Sequence, residues 1–235
     1  MIDALDNDIR KCIIKKLILN DKLSFSKLME KQFRSNLFNY HLKWLIQNGF
    51  VIKNPDNTYS LGDAGKFLSS FIDINEMQQR KQPVVIVGVV LRRKNKVLLS
   101  EITKEPFKGV FAISSVDEPV FGETLEETAI RSAEKNTGYK IKKPVLKAVF
   151  SMKTLDNNQL FHHYFFIFSA EISGGKLKEI TEKRKNIWVN EAKISSMNIF
   201  PEVPFIFEKA AVNRLCFHEI FRERKCGKFV KLRVI

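Results

Sequence analysis

The sequence predicts an α+β protein in two parts: helices closed by a small hairpin from the N-terminus to about Asn75, and a strand-rich region with an embedded helix beyond Pro83. Three observations carry this prediction. Apolar side chains recur at helical spacing in the segments before Gly49. Gly49 then gives way to alternating, strand-like sequence around the turn residues Asn54 to Asn57. Past Pro83 the chain turns to runs of β-formers, interrupted by one strongly helical stretch from Leu125 to Asn136 that stops at Gly138. At 235 residues, 44% of them hydrophobic, the chain is long enough for two modest cores or one large one.

Helix one is expected at about positions 3–19, where Ile9, Cys12, Ile13, Leu17 and Ile18 keep helical spacing and Asn20-Asp21 ends the pattern. Ser24 caps a short second helix bearing Phe25, Leu28 and Met29. Ser35 caps a third, running to Asn48, whose Phe38, Leu42 and Leu45 share the inward face. Gly49 suits the left-handed position after it. Strands at 50–53 and 58–61 make the hairpin, a helix follows from Asp63 to about Ile72, and the first domain, 1–75, ends in a boundary near 75–82.

In the second part, the segments 84–91 and 97–100 read as a hairpin about a charged turn at 92–96, with Pro83, which lacks an amide donor, at the first strand's start. A β-rich segment at 108–113, the helix at 125–136, an apolar strand from His162 to Phe168 and a last helix from Val203 to about Phe221 follow. Alternation places His162 and His163 on opposite faces of their strand, so the pair does not converge on one metal, and packing or surface roles suit them. The run from Phe161 to Phe168 reads as core. The basic extension, 212–235, mixes cations with apolar residues toward its end; it touches DNA backbone or a second subunit, or forms a terminal strand with a solvated face. There is no internal repeat.

The 40 Lys and Arg outnumber the 26 Asp and Glu, and the net charge of +14 favours a polyanionic partner. The excess is uneven. Up to Asn75 the chain holds 11 basic and 8 acidic side chains, +3, against 29 and 18, +11, beyond it. Charge alone is therefore not direct support for DNA binding by the first domain. No apolar run approaches the roughly 20 residues of a membrane span, and Asp3, Asp6 and Asp8 stand where a signal peptide is basic and then apolar, so a cytoplasmic protein with no membrane partner is expected. Cys12, Cys216 and Cys226 are widely spaced and lack the pairing of a zinc site, which points to reduced thiols.

The order of three helices, a glycine and a polar-tipped hairpin, with Tyr40, His41, Leu42, Lys43, Trp44 and Leu45 leading to Gly49-Phe50-Val51 and a closing Tyr59 to Gly65, resembles the winged helix of the arsenical-repressor-like regulators. That resemblance implies a double-stranded DNA partner read by the third helix in the major groove and by the wing. It places Ser35, Asn36, Asn39, Tyr40 and Lys43 toward DNA, with Asn suited to adenine and Lys to guanine or phosphate, and Tyr40 either contact or core. Lys53, Asn54 and Asn57 on the wing would position the duplex through its phosphates. The alternative is a protein-interaction module with a solvated polar face.

The stretch 83–211 resembles the Nudix family. Its motif runs Gly, five residues, Glu, seven residues, then Arg-Glu, an aliphatic residue, any residue, Glu-Glu, any residue and Gly. Glu123, Arg131 and Gly138 keep the spacing, and the Gly88 hairpin, the His162–Phe168 strand and Asn186-Ile187-Trp188 add to the likeness. The resemblance implies an α/β/α sandwich with a mixed sheet. In active members the helical carboxylates bind divalent cations that bridge a diphosphate. Here those positions are Ser132, Lys135 and Asn136, and the preceding Pro-Gly-Gly turn is replaced by Ser114 to Asp117. Neutral donors and an ammonium are poor metal ligands, so no catalytic residue and no metal site are expected, and magnesium only if the chain is a hydrolase.

Glu134 sits about 100° round the helix from the ligand positions and reads as solvated. Glu127 is placed to pair with Arg131 one turn on, and Glu123 is either a structural carboxylate beside Arg131 or a ligand. Lys135 either replaces the metal's charge at a phosphate or is a surface lysine; Arg92 and Arg93 either reach phosphate or decorate a turn. The ligand set is therefore Arg92, Arg93, Glu123, Arg131 and Lys135. The whole reads as a homodimeric transcriptional regulator whose Nudix-like domain senses a nucleotide-type molecule, in the reverse domain order to the known Nudix-related regulators. A hydrolase of nucleoside diphosphate derivatives and a non-catalytic dimerisation scaffold are the alternatives.

Overall fold

The computed structural model describes residues 2–225 and 228–235, and the chain divides into two compact units, one up to Lys81 and the other from Gln82. The smaller unit contains α1 (Asp8–Leu19), β1 (Leu23–Ser24), α2 (Phe25–Leu28), α3 (Ser35–Gln47), β2 (Val51–Lys53), β3 (Thr58–Leu61), α4 (Asp63–Phe71), β4 (Ile72–Asp73) and β5 (Gln78–Gln79). A short 3-10 turn at Ile2–Leu5 precedes α1, so the first helix starts later than its apolar spacing suggests. Asn7 fixes that start, its side chain accepting the Ile9 amide at 2.9 Å. Ser35 is the first helical residue of α3 rather than its cap, a position held by Arg34 with no side-chain bond.

The three strands β1, β2 and β3 form a sheet in the order β1-β3-β2, all antiparallel. Beneath it Ile13 and Ile14 of α1, Leu28 of α2 and Phe38 and Leu45 of α3 are fully buried together. The inward face of α3 is Phe38, His41, Leu42 and Leu45, as helical spacing requires. Trp44 stacks on Phe50 and carries the Arg10 guanidinium 3.7 Å above its ring. Gly65 in α4 has no substitute, because a β-carbon there would stand 2.2 Å from the Phe50 carbonyl oxygen.

The larger unit contains β6 (Val84–Val90), β7 (Arg92–Arg93), β8 (Lys96–Ile102), β9 (Phe111–Ile113), β10 (Ser115–Asp117), α5 (Leu125–Thr137), β11 (Tyr139–Asp156), β12 (Gln159–Gly175), β13 (Arg184–Asn190), a 3-10 turn at Glu191–Ser196, α6 (Val203–Ala210), β14 (Cys216–Lys225) and β15 (Lys228–Val234). Six strands form a mixed sheet in the order β10-β6-β12-β11-β14-β15, with β6–β12 and β11–β14 parallel. A smaller sheet joins β13, β8 and β7, with β9 also on β8. The expected hairpin at 84–100 is corrected by this arrangement: only β7 pairs with β8 about the turn, while β6 belongs to the other sheet.

Alternation along the strands feeds two cores. Val87, Val89 and Phe168 pack with Ala129 and Ala133 of α5. Val90, Phe150, Met152 and Ile167 pack with Ile206 and Phe207 of α6. The sheet therefore lies between two helical layers, an α/β/α arrangement. The C-terminal segment departs from the helix expected to about Phe221 and takes the terminal-strand alternative instead. Helix α6 ends at Ala210, and Cys216–Lys225 is a strand lying parallel to Ala148–Asp156, so 212–235 supplies two strands of the main sheet rather than an appendage. The period of two in Cys216, His218, Ile220 and Arg222 is the local reason.

Cys12 and Cys216 are free, and burial together with a hydrogen bond to Glu30 pushes the Cys12 thiol up to about 11. Cys226 lies outside the described residues. No helix among the described residues is long and apolar enough to cross a membrane.

Candidate functional site

Helix α5 begins with a complete capping box: the Thr124 hydroxyl accepts the Glu127 amide while the Glu127 carboxylate accepts the Thr124 amide and hydroxyl. It ends at Gly138 in the left-handed conformation, φ 78°, where a β-carbon would stand 2.2 Å from the Lys176 carbonyl oxygen. Because Glu127 serves the cap, the expected Glu127–Arg131 pair does not form. Arg131 instead donates to Glu123 through Nε at 2.7 Å and Nη2 at 2.8 Å, and to Asp117 at 2.7 Å.

Ser132, Asn136 and Lys135 on α5 take part in a closed network. The Ser132 hydroxyl is buried 3.0 Å from that of Ser115, and Asn136 donates to the Val116 carbonyl at 3.1 Å and to Ser132 at 3.2 Å. Lys135 reaches outward to Asp117 at 2.8 Å with its side chain 61% exposed. The two carboxylates near these positions are thus both held by cations. Hydrogen bonds from Arg131 and the Val120 amide pull Glu123 down to about 2. Burial opposes ionisation of Asp117, but Lys135 and Arg131 outweigh it and hold the carboxyl below its ordinary value. The divalent cation implied by the Nudix resemblance does not fit this donor set, because the helix offers a serine, an asparagine and an ammonium, and the flanking carboxylates are saturated. Among the described residues no three His, Cys, Asp or Glu side chains are grouped to hold a metal.

The Glu123–Arg131 pair makes a prediction about acid stability. The carboxyl ordinarily titrates near 4.5 and in the folded chain near 2, so its contribution is complete above about 4.5 and is lost as pH falls toward 2. Melting temperatures of the wild type and Glu123→Gln should differ at neutral pH and converge as pH falls through that window. A constant offset down to pH 2 would contradict the pair.

The five residues expected at a ligand do not share one cavity. Glu123, Arg131 and Lys135 meet around Asp117. Arg92 is held by Glu191 at 2.9 Å and by the Phe207 carbonyl at 2.7 Å, and Arg93 lies over the rings of Tyr139 and Trp188. A cavity of about 410 Å³ lies elsewhere in the unit, on the α6 side of the main sheet, and none of the five lines it. That volume is ordinary for a small-molecule site. Its polar wall comprises Thr154, Asp156, His163, Arg184, Glu202, Arg222 and Arg224. Phe107, Phe200 and Phe229 form a three-ring cluster on it, with Phe161 and Phe165 also lining.

Arg222 is 9% exposed, pairs with the buried Glu202 and donates to Thr154 at 3.0 and 2.9 Å. Arg224 pairs with Asp156. Four buried polar atoms of the wall lack any partner: Asp156 Oδ1, His163 Nδ1, Glu202 Oε2 and Arg224 Nε. Burial lowers the His163 pKa and favours the neutral ring. Sequence reasoning missed this wall, although alternation set His163 on one face of its strand. The signal that could have found it was Arg222 and Arg224 two residues apart, which on a strand point the same way.

In the smaller unit, Ser35, Asn36, Asn39, Tyr40 and Lys43 are all exposed on α3, and their side chains have no hydrogen-bond partner among the described residues. Lys53 and Asn57 are exposed on the hairpin. Asn54 is engaged internally, donating to Thr58 at 3.0 Å and accepting from Ser60 at 3.2 Å. Asp56 shares the tip; Thr58 and Lys22 bring its carboxyl down to about 2.

No protein-family model matches the sequence. The MutT protein of Bacillus halodurans superposes with a TM-score of 0.54 at 20% identity, covering 64% of this chain and 97% of that one. The unit that ends at Lys81 is too short to supply such a share. The larger unit has the Nudix hydrolase fold. The Nudix domain of Shewanella oneidensis NrtR, solved in complex with ADP ribose, shares that fold with a TM-score of 0.50 at 18% identity over 64% of this chain and 97% of its own. In sequence, the chain is 29% identical over 137 residues to the ADP-ribose pyrophosphatase of Methanocaldococcus jannaschii, a stretch covering 58% of this chain and 76% of that protein.

Proposed function

We propose that this protein is a DNA-binding regulator whose Nudix-fold unit binds a nucleotide-type ligand without hydrolysing it. The observation that carries the reading is the closed network on α5. Ser132, Lys135 and Asn136 replace the metal-binding carboxylates, and their hydrogen bonds leave the helix no open anionic cluster. The ADP ribose held by the NrtR Nudix domain supports a ligand of this class on this fold. The smaller unit is read as a winged helix: α3 would enter the major groove and the β2–β3 hairpin would approach the backbone. Its unpartnered polar face supports that reading. A homodimer would read two half-sites about one helical turn apart.

The test combines magnesium with ADP-ribose, NAD and dinucleoside polyphosphates, following thermal shift and product together. Stabilisation without product supports the regulator. A second reading, hydrolysis of a nucleoside diphosphate derivative, is favoured by the 29% identity to an ADP-ribose pyrophosphatase, and metal-dependent product would establish it instead.

For the DNA-binding unit, Asn39→Ala should cost about 1–3 kcal/mol against a preferred sequence and relax discrimination at one base pair. Lys43→Ala, if it meets phosphate, should weaken all sequences alike and reduce the salt slope by about one. Equal affinity of wild type and both variants in a titration on genomic fragments would remove α3 from the interface.

A further inference from the structure

The charges of the cavity do not cancel. Arg222 is matched by Glu202 and Arg224 by Asp156, and each arginine also lies over a ring, Arg222 over Phe229 at 5.0 Å and Arg224 over Phe107 at 4.8 Å. His163 is neutral. Arg184 remains. Among the described residues its guanidinium makes one hydrogen bond, from Nη1 to the Ile113 carbonyl at 3.0 Å, and no ion pair. Asp117, whose field it feels, is already shared by Arg131 and Lys135. Burial disfavours its charge, so the cavity holds a partly desolvated guanidinium with no ion-pair contact among the described residues and with donors to spare.

Arg184 is also firmly placed. Two positions along β13, Asn186 is buried; it accepts from Ser100 and donates to the Asn136 carbonyl at 2.8 Å and the Lys178 carbonyl at 2.7 Å, which ties the strand to the last turn of α5. In the same cavity lining, the unpartnered oxygens of Asp156 and Glu202 call for N–H donors, and the Phe107, Phe200 and Phe229 cluster supplies an apolar wall for a flat ring. We propose that the cavity takes a phosphorylated, amine-bearing heterocycle, a nucleoside monophosphate or its equivalent moiety, with the phosphate on Arg184 and no metal between them. This deepens, and rests on, the nucleotide-binding reading; it moves the anion from Lys135 on the motif helix to Arg184 on β13.

The test uses the full chain in EDTA, with calorimetric titration of AMP, GMP and CMP, each beside its nucleoside, and of ADP-ribose. At least one nucleotide should bind about tenfold or more tightly than its nucleoside, the worth of a charged hydrogen-bonded contact. Arg184→Gln should erase that preference while nucleoside affinity stays. Arg184→Lys, which keeps the charge without the planar fork, should retain part of it and guards against a variant that fails to fold. A preference that survives Arg184→Gln, or that vanishes in Lys135→Gln instead, overturns the assignment of the phosphate to Arg184. If neither nucleosides, nucleotides nor ADP-ribose bind the wild type, the nucleotide-binding reading itself fails and this proposal with it.

Discussion

Arg222→Ala is expected to destabilise the larger unit by about 3–5 kcal/mol, because it leaves the Glu202 carboxylate buried without its counter-charge. Arg222 and Glu202 are 9% and 5% exposed, so water cannot easily replace the lost partner. Thr154 loses two donors in the same substitution. The double variant Arg222→Met and Glu202→Met should recover most of the loss, since removing both charges also removes the desolvation cost. Urea titration followed by Trp188 fluorescence measures both. A single-variant loss below about 1 kcal/mol, the size of an exposed ion pair, would show that the pair is solvated.

The second large effect is expected at Phe38→Ala, at about 3–5 kcal/mol in the smaller unit. Phe38 is fully buried, with an edge contact to Phe25 at 5.7 Å and a stacked contact to Phe33 at 6.4 Å. It lies one position before Asn39 on the same helix, so the cavity left behind loosens the element that presents Asn36, Asn39 and Lys43. Hydrogen exchange of the α3 amides should accelerate, and affinity for DNA should fall even though no proposed contact is removed. Unchanged exchange in α3 would mean that the surrounding rings collapse into the space.

The two helices that matter most were legible in the sequence because their signals are local. Gly138 and the helical spacing of 125–136 place α5 within a residue, and Gly49 with the spacing of Phe38, Leu42 and Leu45 does the same for α3. The capping role of Glu127 was not legible, since a glutamate one turn before an arginine reads equally as a surface pair. The cavity was out of reach for a different reason. Arg222 meets side chains 68 and 20 positions away, Thr154 and Glu202, and only the parallel pairing of β14 with β11 brings them together. The segment after α6 was misread because apolar residues near 212–221 satisfy a helical spacing as well as the alternation that the sheet selects.

That parallel pairing has a consequence for synthesis. The strand that carries Arg222 and Arg224 leaves the ribosome after every other charged group of the cavity wall, with Arg222 trailing Thr154, its partner on β11, by 68 positions. Until it arrives, Asp156 and Glu202 have no counter-ions and the edge of β11 is open, so a nascent chain holds a nearly finished domain with two acids facing water. The cavity is complete only when translation has passed β15, which brings Phe229 to its wall. On the proposed reading, nucleotide would stabilise chains beyond this point without stabilising shorter ones.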